Sequence, residues 1–203
     1  MVNYLSRLPD SSTSRLLYLL LFNIAFSFDD QLREITSDRA EVERAVDWIT
    51  TELTGEQETP QQRAALLGLR GVYQRILGKL ADAERDLTEA VGIAEQVGLA
   101  PLATVMRLRL AHVYQWMKDF TRSTAMFNRE IERCLADPEL LSFLDFAYQH
   151  AGKNLFDQGD FSGARRHFQA ALDLRRGKGD QKLMDSSSTA LARAIEREPG
   201  SPD

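Results

Sequence analysis

Residues 152–172 read Gly152-Lys-Asn-Leu-Phe-Asp-Gln-Gly159-Asp-Phe161-Ser-Gly-Ala164-Arg-Arg-His-Phe168-Gln-Ala-Ala171-Leu172, and the spacing of their small and aromatic residues decides the fold. Two copies of the series lie upstream. Gly71, Gly78, Leu80, Ala83, Leu87 and Ala90 form the first, and Ala111, Lys118, Phe120, Ser123, Phe127 and Glu130 form the second. Eight residues beyond each series stands a helix breaker, Gly98, Pro138 or Gly179, so the period is 40 to 41 residues. A period of that size is the mark of a stacked repeat and not of a single irregular bundle.

Each position in the series has a physical task. Gly71, Ala111 and Gly152 let two antiparallel helices approach closely, and Ala83, Ser123 and Ala164 do the same from the facing helix. Leu87, Phe127 and Phe168 lie seven residues beyond Leu80, Phe120 and Phe161 and share their helical face, where they fill space toward the next pair. A pair built this way leaves one apolar face uncovered, so pairs must stack and a last helix must cap them. The segment 180–197 reads as that cap, with Met184, Leu191 and Ile195 as a narrow apolar stripe flanked by Ser186, Ser187, Ser188, Arg193 and Arg197.

Helical periodicity covers nearly everything after Ser12, and no run alternates with period two. Thr59-Pro60-Gln61-Gln62 is a capping box with proline in the first turn, and Asp38-Arg39-Ala40-Glu41 is a weaker start of the same kind. Asp137-Pro138-Glu139 ends one helix and opens another, while Gly98 and Gly179 fall where glycine stops helices. These marks predict about nine helices, at 12–35, 38–54, 60–77, 80–97, 100–117, 120–136, 138–157, 161–177 and 180–197. The expected organisation is an N-terminal pair at 1–57, a degenerate repeat or cap, then three repeats and a capping helix at 58–198, and a frayed tail at 199–203.

The third copy resembles a tetratricopeptide repeat almost throughout, the first is recognisable, and the second departs at Lys118 and Glu130. The resemblance covers about residues 60–197, and the period is similar to the longer repeats of kinesin light chains and of several bacterial regulators. It implies an all-α fold, an α–α superhelix in the form of a right-handed solenoid of antiparallel helix pairs. It also implies a protein- or peptide-binding scaffold whose concave groove is lined by the first helix of each pair.

Carried over by the repeat alignment, that stripe holds Gly68, Val72, Arg75 and Ile76, then Leu108, His112, Gln115 and Trp116, then Phe146, Gln149, Lys153, Phe156 and Asp157, with Arg193 closing the row. The residues expected to meet a partner are Arg75, His112, Gln115, Trp116, Gln149, Lys153, Phe156 and Arg193. Trp116 and Phe156 are apolar anchors in this reading, or alternatively packing residues between repeats, and Arg75 and Lys153 are charge partners. The asparagine that chaperone-tail clamps of the family use is replaced here by Val72, His112 and Lys153.

Other classes find little support. Net charge is −5 and the pI near 5.3, against the electropositive footprint of a nucleic-acid binder. A local basic cluster at Arg165, Arg166, Arg175, Arg176, Lys178 and Lys182 is the one candidate for an acidic protein or nucleic-acid partner, a less favoured reading as a regulatory domain touching nucleic acid through a basic convex patch. The single cysteine, Cys134, excludes an intrachain disulfide and a multi-cysteine zinc site. His112, His150 and His167 lack metal-ligand spacing, phosphate loops and catalytic elbows are absent, and no enzyme activity or cofactor is expected. The carboxylates of Asp82, Glu84, Asp86 and Glu89 read as a solvated helix face. The apolar run Leu16–Phe28 is shorter than the roughly 20 residues a membrane span needs. It reads as a buried first helix in a cytoplasmic protein, or alternatively as the core of an export signal. Self-association through that run or through an array end is the competing, structural function.

Overall fold

The computed structural model describes residues 24–55 and 59–198. Among them it holds eight α-helices and one two-stranded hairpin. The hairpin pairs β1 (Phe26–Phe28) with β2 (Glu34–Thr36). The helices are α1 (Arg39–Glu52), α2 (Pro60–Ile76), α3 (Leu80–Gln96), α4 (Ala100–Trp116), α5 (Phe120–Ala136), α6 (Leu144–Asp157), α7 (Phe161–Lys178) and α8 (Gln181–Arg197). Consecutive helices pack on each other, and α2, α4 and α6 also touch in turn. The result is an all-α superhelical repeat with the first helices of the pairs along one wall.

Local chemistry places the ends. Thr59 accepts from the Gln62 N–H while Gln62 Oε1 accepts from the Thr59 N–H, closing the capping box. Asp38, Asp119, Asp160 and Asp180 each accept one orphan N–H from the first turn of α1, α5, α7 and α8. The turns inside the pairs need one residue in the left-handed region. Gly78 and Gly159 supply it, at φ 78° and 82°, but the second copy uses Lys118, at φ 63°. A side chain there carries a steric penalty that glycine avoids.

The small residues of the series do hold the pairs together. A methyl group on Gly71 would stand 2.7 Å from Leu87 Cγ, and one on Gly152 would stand 2.6 Å from the Phe168 ring. Ala111 faces Phe127 in the same cluster as Phe146, Ala147 and Ala151. Each pair is also stitched by an arginine–carboxylate contact. Arg70 of α2 donates to both oxygens of Asp86 on α3 at 2.6 and 2.9 Å. Arg107 of α4 donates to Glu130 on α5 at 2.7 Å, and Arg175 of α7 donates to Asp145 on α6 at 3.0 Å. Glu130 therefore departs from the small-residue pattern because it is the buried partner of Arg107 and Arg133.

Several sequence expectations change. Residues 24–35 are not the end of a first helix: Asp29 accepts from the N–H groups of Gln31 and Arg33, folding the chain into a hairpin, and residues 12–23 lie outside the described residues. Asp137 accepts from the Glu139 N–H, making a turn, so the helix expected at 138 begins as a short 3-10 segment at Leu141–Phe143 and becomes α6 at Leu144. Asp86 is buried and paired, not solvated. The cap buries Ser187, Ala190 and Ala194, whereas Ile195 stays partly exposed, because Ser187 is needed as a hydrogen-bond partner of Arg175. The basic cluster is largely neutralised: Arg175 and Lys178 hold Asp145, Arg176 holds Asp173, and Arg165 holds Glu198. Cys134 is buried, and burial together with nearby Glu130 raises its thiol to about 11. Among the described residues no helix is long and apolar enough to cross a membrane.

Two stability measurements follow from this packing. Gly152→Ala forces a methyl group against an enclosed ring and should lower urea-unfolding stability by about 1–3 kcal/mol. Lys118→Gly removes a left-handed side chain at an exposed turn and should raise stability by about 0.5–1 kcal/mol after the extra backbone entropy of glycine is subtracted.

Candidate functional site

The predicted groove residues sit on the facing surfaces of α2, α4 and α6, with Arg193 on α8. They are not an open wall. Arg75, His112, Gln115, Gln149, Lys153 and Phe156 are each at most 3 % exposed, and Trp116 and Arg193 are half-buried. The β1–β2 hairpin, which crosses the inner face from α2 to α8, covers Arg75, Trp116, Lys153 and Phe156, whereas Gln149 is enclosed by Arg175 and Ser187.

The hairpin meets the groove through a row of specific contacts. Phe26 stacks on Tyr73 of α2 with ring centroids 6.4 Å apart. Glu34 accepts from Arg75 of α2 at 2.9 Å and from Lys153 of α6 at 3.0 Å. Arg33 lies over the Trp116 ring at 5.3 Å and donates to Asp157 at 3.0 Å. Leu32 enters the cluster of Phe156, Ala164, Phe168, Ala190 and Ala194. Arg193 closes the row by donating to the Asp29 carbonyl oxygen.

Beneath the hairpin the electrostatics are tightly coupled. Burial alone raises the Glu34 carboxyl, but Lys153 and Arg75 outweigh it and hold that carboxyl well below the usual carboxylate range. Burial lowers the Lys153 ammonium, and Glu34 opposes the shift. His112 and His150 lie with ring centroids 4.8 Å apart. Burial, reinforced by Lys153, pushes His150 down to about 3, and burial with Arg75 pushes His112 well below the usual imidazole range. Both imidazoles are therefore neutral at pH 7, as a site already holding two cations requires.

The remaining predicted residues divide between two tasks. Gln149 accepts from Arg175 at 3.2 Å and from Ser187 at 2.7 Å, so it belongs to the polar seam joining α6, α7 and α8. Phe156 packs edge-to-face on Phe161 at 5.1 Å and anchors Leu32 from below. Gln115 donates to the Lys153 carbonyl oxygen at 3.2 Å and to Asp157 at 3.1 Å. His112 Nε2, Gln115 Oε1 and Trp116 Nε1 are buried without a hydrogen-bond partner among the described residues. Each such atom costs on the order of 1–3 kcal/mol. All three lie along α4, under the middle of the hairpin.

Sequence reasoning missed Arg33, Glu34 and Leu32, because they were placed in a helix. Among the described residues no group of three or more metal-ligating side chains is placed to hold an ion. The geometry defines a class: a helical repeat array with a charged inner face. Residues 147–177, which cover α7 up to Gly177 and most of α6, match the family model described as Tetratricopeptide repeat. The chain thus carries a tetratricopeptide repeat, the matched repeat being its third helix pair. No curated protein matches it.

The buried imidazoles set a pH dependence. Their folded pKa values lie below the ordinary 6.5, so as pH falls below 6.5 the unfolded chain takes up protons that the fold refuses, and stability is lost. Arg75, Lys153 and Arg175 face this pair as repelling cations and Glu34 as the opposing anion, whose own depressed pKa adds a loss below 4.5. Urea unfolding between pH 6.5 and 5 should show stability falling by about 1.4 kcal/mol per pH unit for each imidazole. A His112→Gln/His150→Gln variant should flatten that slope.

Proposed function

We propose that the chain is a non-catalytic scaffold that receives an extended protein or peptide segment on the inner face formed by α2, α4 and α6. The observation that carries this reading is the seating of the hairpin: Glu34, the first residue of β2, has its carboxylate held between α2 and α6 by Arg75 and Lys153, and Leu32 in the turn before it packs in the cluster of Phe156. That is the geometry of helix-lined peptide recognition, with charged groups setting register and a buried apolar anchor. The tetratricopeptide match supports a protein-interaction scaffold in general. A buried, unreactive Cys134 fits the reducing cytoplasm as the compartment.

The test is selection of random peptides on phage against the full-length chain, followed by hydrogen-exchange mapping of the bound peptides. Protection should appear on α2, α4 and α6, with Asp or Glu enriched in the selected sequences. Peptides that protect only α3, α5 and α7 would overturn the assignment of the groove.

A further inference from the structure

Resting on that reading, we propose that the β1–β2 hairpin is an internal stand-in for the partner. In this reading the partner presents an apolar, a basic and an acidic residue along the backbone path of Leu32-Arg33-Glu34, a left-handed turn residue (φ 58°) leading into the start of a strand.

Charge complementarity identifies the essential group. Glu34 bridges two cations from helices 78 positions apart in the chain, Arg75 and Lys153, and is the carboxylate in ion-pair contact with either among the described residues. Removing the hairpin uncovers two cations beside the imidazoles of His112 and His150, so the emptied groove is a positively charged surface that attracts an anion. The basic position is secondary, because Asp157 keeps Gln115 and Lys118 as neighbours when Arg33 leaves. The apolar position is set by the pocket of Phe156, Phe168 and Ala190.

Two observations separate a stand-in from an ordinary structural element. The strand is inverted: Glu34 is 8 % exposed and faces the groove, while its neighbour Ile35 is 44 % exposed to solvent. A one-residue shift of register would bury the isoleucine and free the acid, as a strand kept only for stability would do. Second, the hairpin leaves His112 Nε2, Gln115 Oε1 and Trp116 Nε1 unpaired, so the groove carries hydrogen-bonding groups that its present occupant does not use. A hairpin with strands of three residues has little stability of its own and depends on this seat.

The test uses the full chain and a fluorescein-labelled synthetic peptide spanning residues 24–38. Fluorescence polarisation should show at least tenfold tighter binding of the peptide to the Glu34→Gln chain than to wild type. The Glu34→Gln version of the peptide should bind that chain at least tenfold more weakly. Equal affinity for both chains, or no binding to a Glu34→Gln chain with an intact cooperative melt, overturns the proposal. Hydrogen exchange of wild type decides the matter even where the variant does not fold. Amides of 26–36 should exchange by local opening at least a hundredfold faster than those of α6, and faster still with excess unlabelled peptide. Exchange of 26–36 only at the α6 rate overturns it. Selected peptides that occupy the groove while 26–36 stay protected reject this inference alone, whereas peptides bound to the outer helices reject the groove itself.

Discussion

The Glu34 carboxylate, held between Arg75 and Lys153, is the contact on which the inner face depends. Its two cations come from the first and third helix pairs, and both are almost fully enclosed. Taking charges out of water is costly unless each finds an opposite charge at hydrogen-bonding distance, and breaking such a group is far worse than never forming it. The neutrality of His112 and His150 follows from the same constraint: two more positive charges on that surface have no counterpart. Burial and the two cations hold the imidazoles neutral against the opposite pull of Glu34, and the acid fixes the position of the strand that carries it.

Around this centre the repeats are held by a different kind of force. Gly71 against Leu87 and Gly152 against Phe168 are contacts of shape, where a single added carbon has no room. The arginine clamps from Arg70, Arg107 and Arg175 occupy different register positions in the three pairs, so each pair closes by its own polar solution over a shared apolar pattern. That division explains why the apolar series repeats with a fixed period while the charged residues do not.

The same division governs what was legible in the sequence. The helices from Pro60 to Arg197 were readable because small and aromatic residues recur at fixed spacing and because Thr59, Gly98 and Gly179 punctuate them. The repeat alignment also places Arg75, His112, Gln115 and Lys153 on successive first helices, and they converge on one surface, though under a cover. Its cover was not legible. Strands of three residues give almost no period-two signal, and the one alternation present runs backwards, with Glu34 inward and Ile35 outward. The fold of 29–33 is set by the Asp29 side chain accepting two backbone N–H groups, a local bond that hydrophobic patterning does not register. Asp86 and Arg175 were misread for a related reason: a charged residue looks solvated until the residue facing it across the pair is known.

Repeat arrays are quasi-one-dimensional, each unit feeling only its neighbours, so they can fray from either end one unit at a time. The hairpin breaks that locality. It touches Tyr73 near one end of the array and Arg193 near the other, tying together residues that the helix stack alone would leave independent. It is a strut across the bow of the superhelix: while it is seated, opening one end strains the other, and the array melts as a unit. Without it, each helix pair would be held by its neighbours alone.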